Sequence, residues 1–203
     1  MEIQRFFGEL YEENTYLVLD QKCRLCVLID PGCRIEALPE GYVLDKILLT
    51  HAHVDHALRA QECAERFSAP VYLHQDDLPL YRSDLLGLFA QAGIRREAIG
   101  EPVTFGDGGT LSFGDRSILP IHTPGHTPGS VCYRIGDALF TGDTLMRGTI
   151  GRIDFPGGNR SAMLESCRFF ACAQDNPLIY PGHGDVSTLR REQESNPYLR
   201  GIL

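Results

Sequence analysis

Thr50-His51-Ala52-His53-Val54-Asp55-His56 sets four ligand-type side chains within six consecutive positions. The apolar run Lys46-Ile47-Leu48-Leu49-Thr50 leads into it and reads as a buried strand. In an extended segment residues two apart point the same way, so His51 and His53 can chelate one ion together. Beyond Asp55 the period changes: Ala60, Cys63, Ala64 and Phe67 recur at helical spacing, which predicts a helix from Asp55 to Phe67. Asp55 and His56 therefore fall on a strand-to-helix turn that can aim them back at the same pocket. Neutral imidazole and carboxylate suit zinc, and also iron or manganese. The competing reading is a His-rich surface loop. Three of only seven histidines falling in six positions argue against it.

Three later segments add ligand types. Thr123-Pro124-Gly125-His126-Thr127-Pro128-Gly129 offers a histidine on a turn stiffened by Pro and Gly. Phe140-Thr141-Gly142-Asp143 ends an apolar strand in a carboxylate, and Pro181-Gly182-His183-Gly184 ends another in a histidine. Each is weak alone, since a histidine on a turn is usually just solvated. Together with the first segment they supply seven candidate ligands, enough for two ions. His122, four residues before His126, is equally ligand-like by composition, and His74 at a strand end reads as structural.

Outside these segments the pattern is orderly. Strands are predicted at Met1 to Phe7, Asn14 to Asp20, Arg24 to Asp30, Pro70 to His74 and Pro177 to Tyr180. Asp30-Pro31-Gly32 ends the third of these. Gln75 to Ala92 reads as helical and Pro102 to Thr141 as strand-rich. Met163, Cys167, Phe170 and Ala171 mark an amphipathic helix capped by Asn159 or Ser161. Strands and helices alternate in two successive blocks, which fits an αββα sandwich, one option among α/β and α+β layouts.

Composition bounds the rest. With 203 residues and 43% of them hydrophobic, the chain suits a single domain, 1–203, with a sizeable core. No stretch approaches the ~20 apolar residues of a membrane span. The N-terminus lacks a signal-peptide pattern and seven scattered cysteines suggest reduced thiols, so a cytoplasmic protein is expected. Cys23 and Cys26 have the spacing of half a zinc site but no second pair follows, so they read as small core residues. A net charge of −8 argues against nucleic acid as the main partner. A small anionic substrate stays compatible, because metal ions reverse the local sign. The oligomeric state is left open.

The His51-Ala52-His53-Val54-Asp55-His56 run followed in order by His126, Asp143 and His183 resembles the metallo-β-lactamase superfamily over nearly the whole chain, from Asp30 to His183. That resemblance implies a four-layer αββα sandwich and two zinc ions, with iron or manganese as the other candidates. It implies one metal on His51, His53 and His126, the other on Asp55, His56 and His183, and Asp143 bridging both. Asp30 would orient a ligand from behind. Two ions about 3.5–4 Å apart can share a hydroxide that attacks a carbonyl while one metal polarises its oxygen, with Asp55 orienting the nucleophile.

The Gly148 to Asn159 segment and the tail Asn196-Pro197-Tyr198-Leu199 resemble the short glyoxalase II-like hydrolases. This implies cleavage of a thioester such as S-D-lactoylglutathione, with Arg147 and Arg152 meeting substrate carboxylates; an ion pair of Arg152 with Asp154 is the competing role. The helical C-terminal domain of full-length glyoxalase II is not seen after His183, so a different thioester, glutathione-derived or not, is the alternative substrate. The chief rival is a glutathione persulfide dioxygenase, which the sequence also resembles and which holds a single iron on the equivalents of His51, His126 and Asp143. The Phe155-Pro156-Gly157-Gly158 continuation favours the hydrolase. A lactonase is a lesser alternative. A β-lactamase is disfavoured by the bridging Asp143, and an RNA-processing nuclease by the acidic charge.

Overall fold

Leu17 and Leu19 point to one side of their strand and Tyr16 and Val18 to the other, and both sides are buried. This period of two on a doubly buried strand is what a middle layer requires. In the computed structural model, which describes residues 1–83, 88–91, 93 and 100–201, two six-stranded sheets lie face to face. The first runs β1 (Glu2–Phe7), β2 (Asn14–Asp20), β3 (Leu25–Ile29), β4 (Val43–Leu48), β5 (Val71–His74) and β6 (Val103–Phe105) in sequence order. β1 to β3 pair antiparallel and β3 to β6 parallel.

The second sheet runs β7 (Leu111–Phe113), β8 (Arg116–His122), β9 (Val131–Ile135), β10 (Ala138–Gly142), β11 (Leu178–Pro181) and β12 (Ser187–Thr188), with only β10 and β11 parallel. Tyr16, Val18, Ile29 and Leu48 of the first sheet pack on Ile118, Tyr133, Ile135 and Phe140 of the second. The outer face of the first sheet packs Leu17, Leu28 and Ile47 against α1 (Val54–Ala57) and α2 (Ala60–Phe67) through Ala57, Ala60 and Cys63. Leu139 and Ile179 of the second pack on Met163, Cys167 and Phe170 of α5 (Arg160–Cys172). Truncating a residue such as Phe170 to alanine would cost about 3–5 kcal/mol. The layers are α, β, β, α, as the sequence pattern predicted.

Several elements differ in detail. The helix expected from Asp55 to Phe67 is two pieces, because Arg59 turns its backbone N–H to the Pro31 carbonyl at 2.8 Å. The stretch from Gln75 begins as a 3-10 turn (Gln75–Asp77) and continues as α3 (Leu78–Ser83) and α4 (Leu88–Gln91); Ala92 lies outside the described residues. Asn159, not Ser161, caps α5, accepting from the Ala162 N–H at 3.1 Å. Two more helices, α6 (Leu189–Ser195) and α7 (Pro197–Arg200), end the described chain. All seven cysteines are free, and Cys26 is buried in the core. No helix among the described residues is long and apolar enough to cross a membrane.

The parallel pairings decide where chemistry can sit. Strands β3, β4 and β5 share one direction, so the segments after Ile29, Leu48 and His74 leave from one edge of the first sheet. β10 and β11 do the same in the second sheet, delivering Asp143 and His183 side by side. The two edges meet: the Val131 N–H donates to the Thr50 carbonyl at 2.8 Å, and the Asn14 N–H to the Gly182 carbonyl at 2.6 Å.

Candidate metal centre

At that seam the seven predicted side chains come together. His51, His53 and His126 offer one group of ligand atoms within 4.8 Å of one another, and Asp55, His56 and His183 a second. His51, His56 and Asp143 form a third group, which links the first two. His53 Nδ1 lies 2.9 Å from His126 Nε2. Asp143 lies between: its Oδ2 is 3.5 Å from His126 Nε2 and 3.7 Å from His183 Nε2, and its Oδ1 is 3.5 Å from His56 Nε2. Asp55 Oδ2 is 3.2 Å from His183 Nε2.

The surrounding hydrogen bonds fix which ring nitrogen faces the pocket. His126 Nδ1 lies 2.7 Å from the Arg152 carbonyl and His183 Nδ1 3.2 Å from the Tyr11 carbonyl. A carbonyl only accepts, so both Nδ1 atoms carry protons and, in the neutral rings, both Nε2 atoms present lone pairs. His56 Nδ1 points at Asp30 Oδ2 at 3.0 Å, with the same result. Thr50 Oγ1 spends its hydrogen on Asp30 Oδ2 at 2.6 Å and so accepts from His51 Nδ1 at 3.1 Å. Four imidazoles thus turn lone pairs inward in their neutral form, the form that binds a metal. His51 Nε2, His56 Nε2 and Asp143 Oδ1 are buried and without a hydrogen-bond partner, a cost that protein interiors rarely accept unless an ion satisfies them. The donor set fits two cations of the zinc or iron type.

Electrostatics agree with the geometry. Burial, and then the neighbouring imidazoles, push His51 well below the usual histidine range. Burial and His126 push His53 down to about 4. Burial opposes the charge on His56, but Asp55, Asp143 and Asp30 outweigh it and raise His56 well above its ordinary value. His183 is raised as well: burial works against it, and the hydrogen bond with Asp55 and the charge of Asp143 prevail. Burial also opposes ionisation of Asp55, yet His56 and His183 hold it well below the usual carboxylate range. The carboxylates draw positive charge into the pocket.

Close backbone approach makes this packing feasible. A Cβ on Gly182 would run into Asp143 Oδ1 and His56 Cε1. Gly142 adopts φ of 48° with Thr50 Oγ1 against it, where a side chain would have no room. Asp30 itself has φ of 49°, a strained backbone that aspartate tolerates better than most residues.

The centre floors a cavity of about 340 Å³ whose walls include Tyr11, Arg152 and Phe155. The Arg152 guanidinium lies 3.7 Å over the Phe155 ring and makes the ion pair with Asp154 at 2.7 Å, while the residue lines the cavity. Arg147 is bonded to Asp185 at 2.6 Å and joins the segments that follow Asp143 and His183.

Sequence reasoning missed Asp77. It is fully buried, and its carboxylate accepts from the Ala52 N–H at 2.8 Å, the Thr127 hydroxyl at 2.8 Å and the Gly129 N–H at 2.6 Å. It thereby ties the His51–His53 loop to the His126 turn. Tyr11 and Phe155 were missed as walls of the cavity; no local pattern marks any of the three.

Comparison with known proteins follows the same line. The metallo-beta-lactamase superfamily model matches residues 9–183. Hydroxyacylglutathione hydrolase GloC of Haemophilus influenzae is 30% identical over 93% of this chain and 93% of its own. The crystal structure of the BLEG-1 B3 metallo-beta-lactamase superposes with a TM-score of 0.86 at 30% identity, covering 98% of this chain and 99% of that one. That of TTHA1623 in a di-iron-bound form gives 0.79 at 35% identity, covering 97% and 100%. The two solved structures share this sandwich, one of them was crystallised with two irons, and the named proteins carry different activities. Fold, clustered imidazoles and matched model agree, and the chain belongs to the metallo-β-lactamase superfamily, among its metallo-hydrolases.

Proposed function

We propose that this protein, read as one domain over 1–203, hydrolyses small anionic acyl thioesters in the cytoplasm, with S-D-lactoylglutathione as the type substrate and two zinc ions at the centre. Its main support is the meeting of two three-ligand groups on either side of Asp143 at the floor of an open cavity. The 30% identity to a hydroxyacylglutathione hydrolase supports the thioester. The free state of all seven cysteines agrees with a reducing compartment.

In this proposal His51, His53 and His126 hold one ion, Asp55, His56 and His183 the other, and Asp143 reaches both. Bound there, the ions supply Lewis acidity toward the scissile carbonyl and make water nucleophilic at neutral pH. The chain's own groups do the rest. Asp55, kept ionised by His56 and His183, accepts a hydrogen bond from the attacking water at a carboxylate oxygen and so orients it. Asp30 fixes the His56 ring, and the Arg152 carbonyl fixes the His126 ring. Tyr11 and Phe155 give the acyl group apolar walls. Arg152 at the rim meets a substrate carboxylate; Asp154 already offsets part of its charge, so Arg152 serves orientation more than affinity. Arg147 is a second, more remote contact.

The test is a panel assayed with metal-loaded enzyme: lactoylglutathione, other acyl thioesters, a lactone, a β-lactam and glutathione persulfide. Preferred turnover of a thioester with about two ions per chain, as the ligand count requires, supports the proposal. A single iron with oxygen uptake on glutathione persulfide overturns it in favour of the dioxygenase. Preferred opening of the β-lactam or lactone overturns the substrate class alone.

A further inference from the structure

His74, at the end of β5, and His122, at the end of β8, stack at a centroid distance of 4.2 Å and 22° between planes. They belong to different sheets and to none of the ligand groups above. His122 Nε2 lies 2.9 Å from the Pro128 carbonyl, which only accepts, so that nitrogen carries the proton of the neutral ring. Its Nδ1 then presents a lone pair to Asp107 Oδ1 at 2.9 Å. Two acceptors face each other at hydrogen-bonding distance. Only a positive charge between them makes that contact attractive.

His74 converges on the same oxygen. Its Nε2 lies 3.4 Å from Asp107 Oδ1 in a residue that is 1% exposed, and its Nδ1 accepts the Asp76 N–H at 3.4 Å, so the metal-free ring holds its proton on Nε2 and an ion would have to displace it. Asp76 closes the cluster: His74, Asp76 and His122 offer ligand atoms within 4.8 Å of one another. Nitrogen and oxygen ligands held at about 2.0–2.1 Å around a tetrahedral ion stand roughly 3.3 Å apart. The contacts of 2.9 and 3.4 Å fall around that value.

We propose that His74, His122 and Asp107, with Asp76 as a fourth ligand, form a separate site for a divalent transition-metal ion such as zinc. Imidazole and carboxylate are ligands this class of ion accepts, and four of them close a structural site. The ion would clamp the end of β5, the turn after β6 and the end of β8, beside the Asp77 staple. It would act on stability rather than on the reaction.

The rival is a second proton on His122, giving a plain ion pair with Asp107. Full-length protein and its Asp107→Ala and His122→Gln variants are dialysed against the same free Zn²⁺ at neutral pH, and zinc per chain is measured. All three keep the His51–His183 centre, so the difference between them does not depend on how many ions that centre holds or on what it catalyses. The expected result is one zinc equivalent fewer in each variant, with a smaller zinc-dependent rise in thermal midpoint. Asp107 lies on an exposed turn, so its variant decides the matter should His122→Gln misfold. Equal zinc content in wild type and Asp107→Ala overturns the site.

Discussion

Asp30 Oδ2 lies 3.0 Å from His56 Nδ1, with both residues buried. The same carboxylate accepts from the Thr50 N–H at 2.7 Å through Oδ1 and from the Thr50 hydroxyl at 2.6 Å through Oδ2. Through that hydroxyl it also sets the tautomer of His51. One residue therefore orients two imidazoles that belong to different ligand groups.

Asp30→Asn should fail despite its near-identical shape. An amide replaces one accepting oxygen with a donor, and every partner of Asp30 at this point is itself a donor. Metal affinity is expected to fall about 10–100-fold. Competition with a chromophoric chelator measures this, and wild-type affinity in the variant would show that Asp30 does not orient the rings.

Asp55→Ala should abolish hydrolysis while leaving the fold mostly intact, because Asp55 packs at the pocket rather than in any of the three apolar cores. Far-UV circular dichroism checks the fold and the thioester assay checks the chemistry. Turnover near the wild-type rate would remove Asp55 from the mechanism.

Asp77→Ala strands three donors from two loops in a buried place. The loss of charge-assisted bonds costs on the order of 3 kcal/mol. A urea midpoint shift gives the number, and metal affinity should drop alongside as the His51–His53 loop and the His126 turn come apart. A shift below about 1 kcal/mol would rule out the stapling role, since a single lost hydrogen bond already costs that much.

Glu13 provides a pH signature in the metal-free protein. It is fully buried, Oε2 has no partner, and burial pushes its carboxyl up to about 8. Between about 4.5 and 8 the native chain holds a proton here that the unfolded chain has released. Stability from this group is present below that window and is lost as pH rises through it, by roughly 1.4 kcal/mol for each unit of displacement. Glu13→Gln cannot ionise, so its stability relative to wild type should climb from pH 5 to pH 8. Parallel denaturation curves for the two proteins across that range would contradict the assignment.

How much of this was legible in the chain differs by element. His51 to His56 and the strand before it were readable because ligand spacing and hydrophobic period are local. His126, Asp143 and His183 could be named as ligand types, but only their order in the chain, matched to a family, grouped them. The break at Arg59 was not readable, because the Pro31 carbonyl that causes it arrives from far along the sequence. Asp77 looked like any solvated acid near a helix start; its partners lie 25, 50 and 52 residues away. The stacking of His74 on His122 was hidden for the same reason, since two sheets must meet before those rings can touch.

The bond from the Val131 N–H to the Thr50 carbonyl marks the junction across which ligands from the two halves face each other. Each ligand group draws on both halves, so a captured ion would have to be released before the halves could separate. Metal supply would then govern the lifetime of the protein as well as its chemistry: starved chains should unfold faster and be the first that proteases remove.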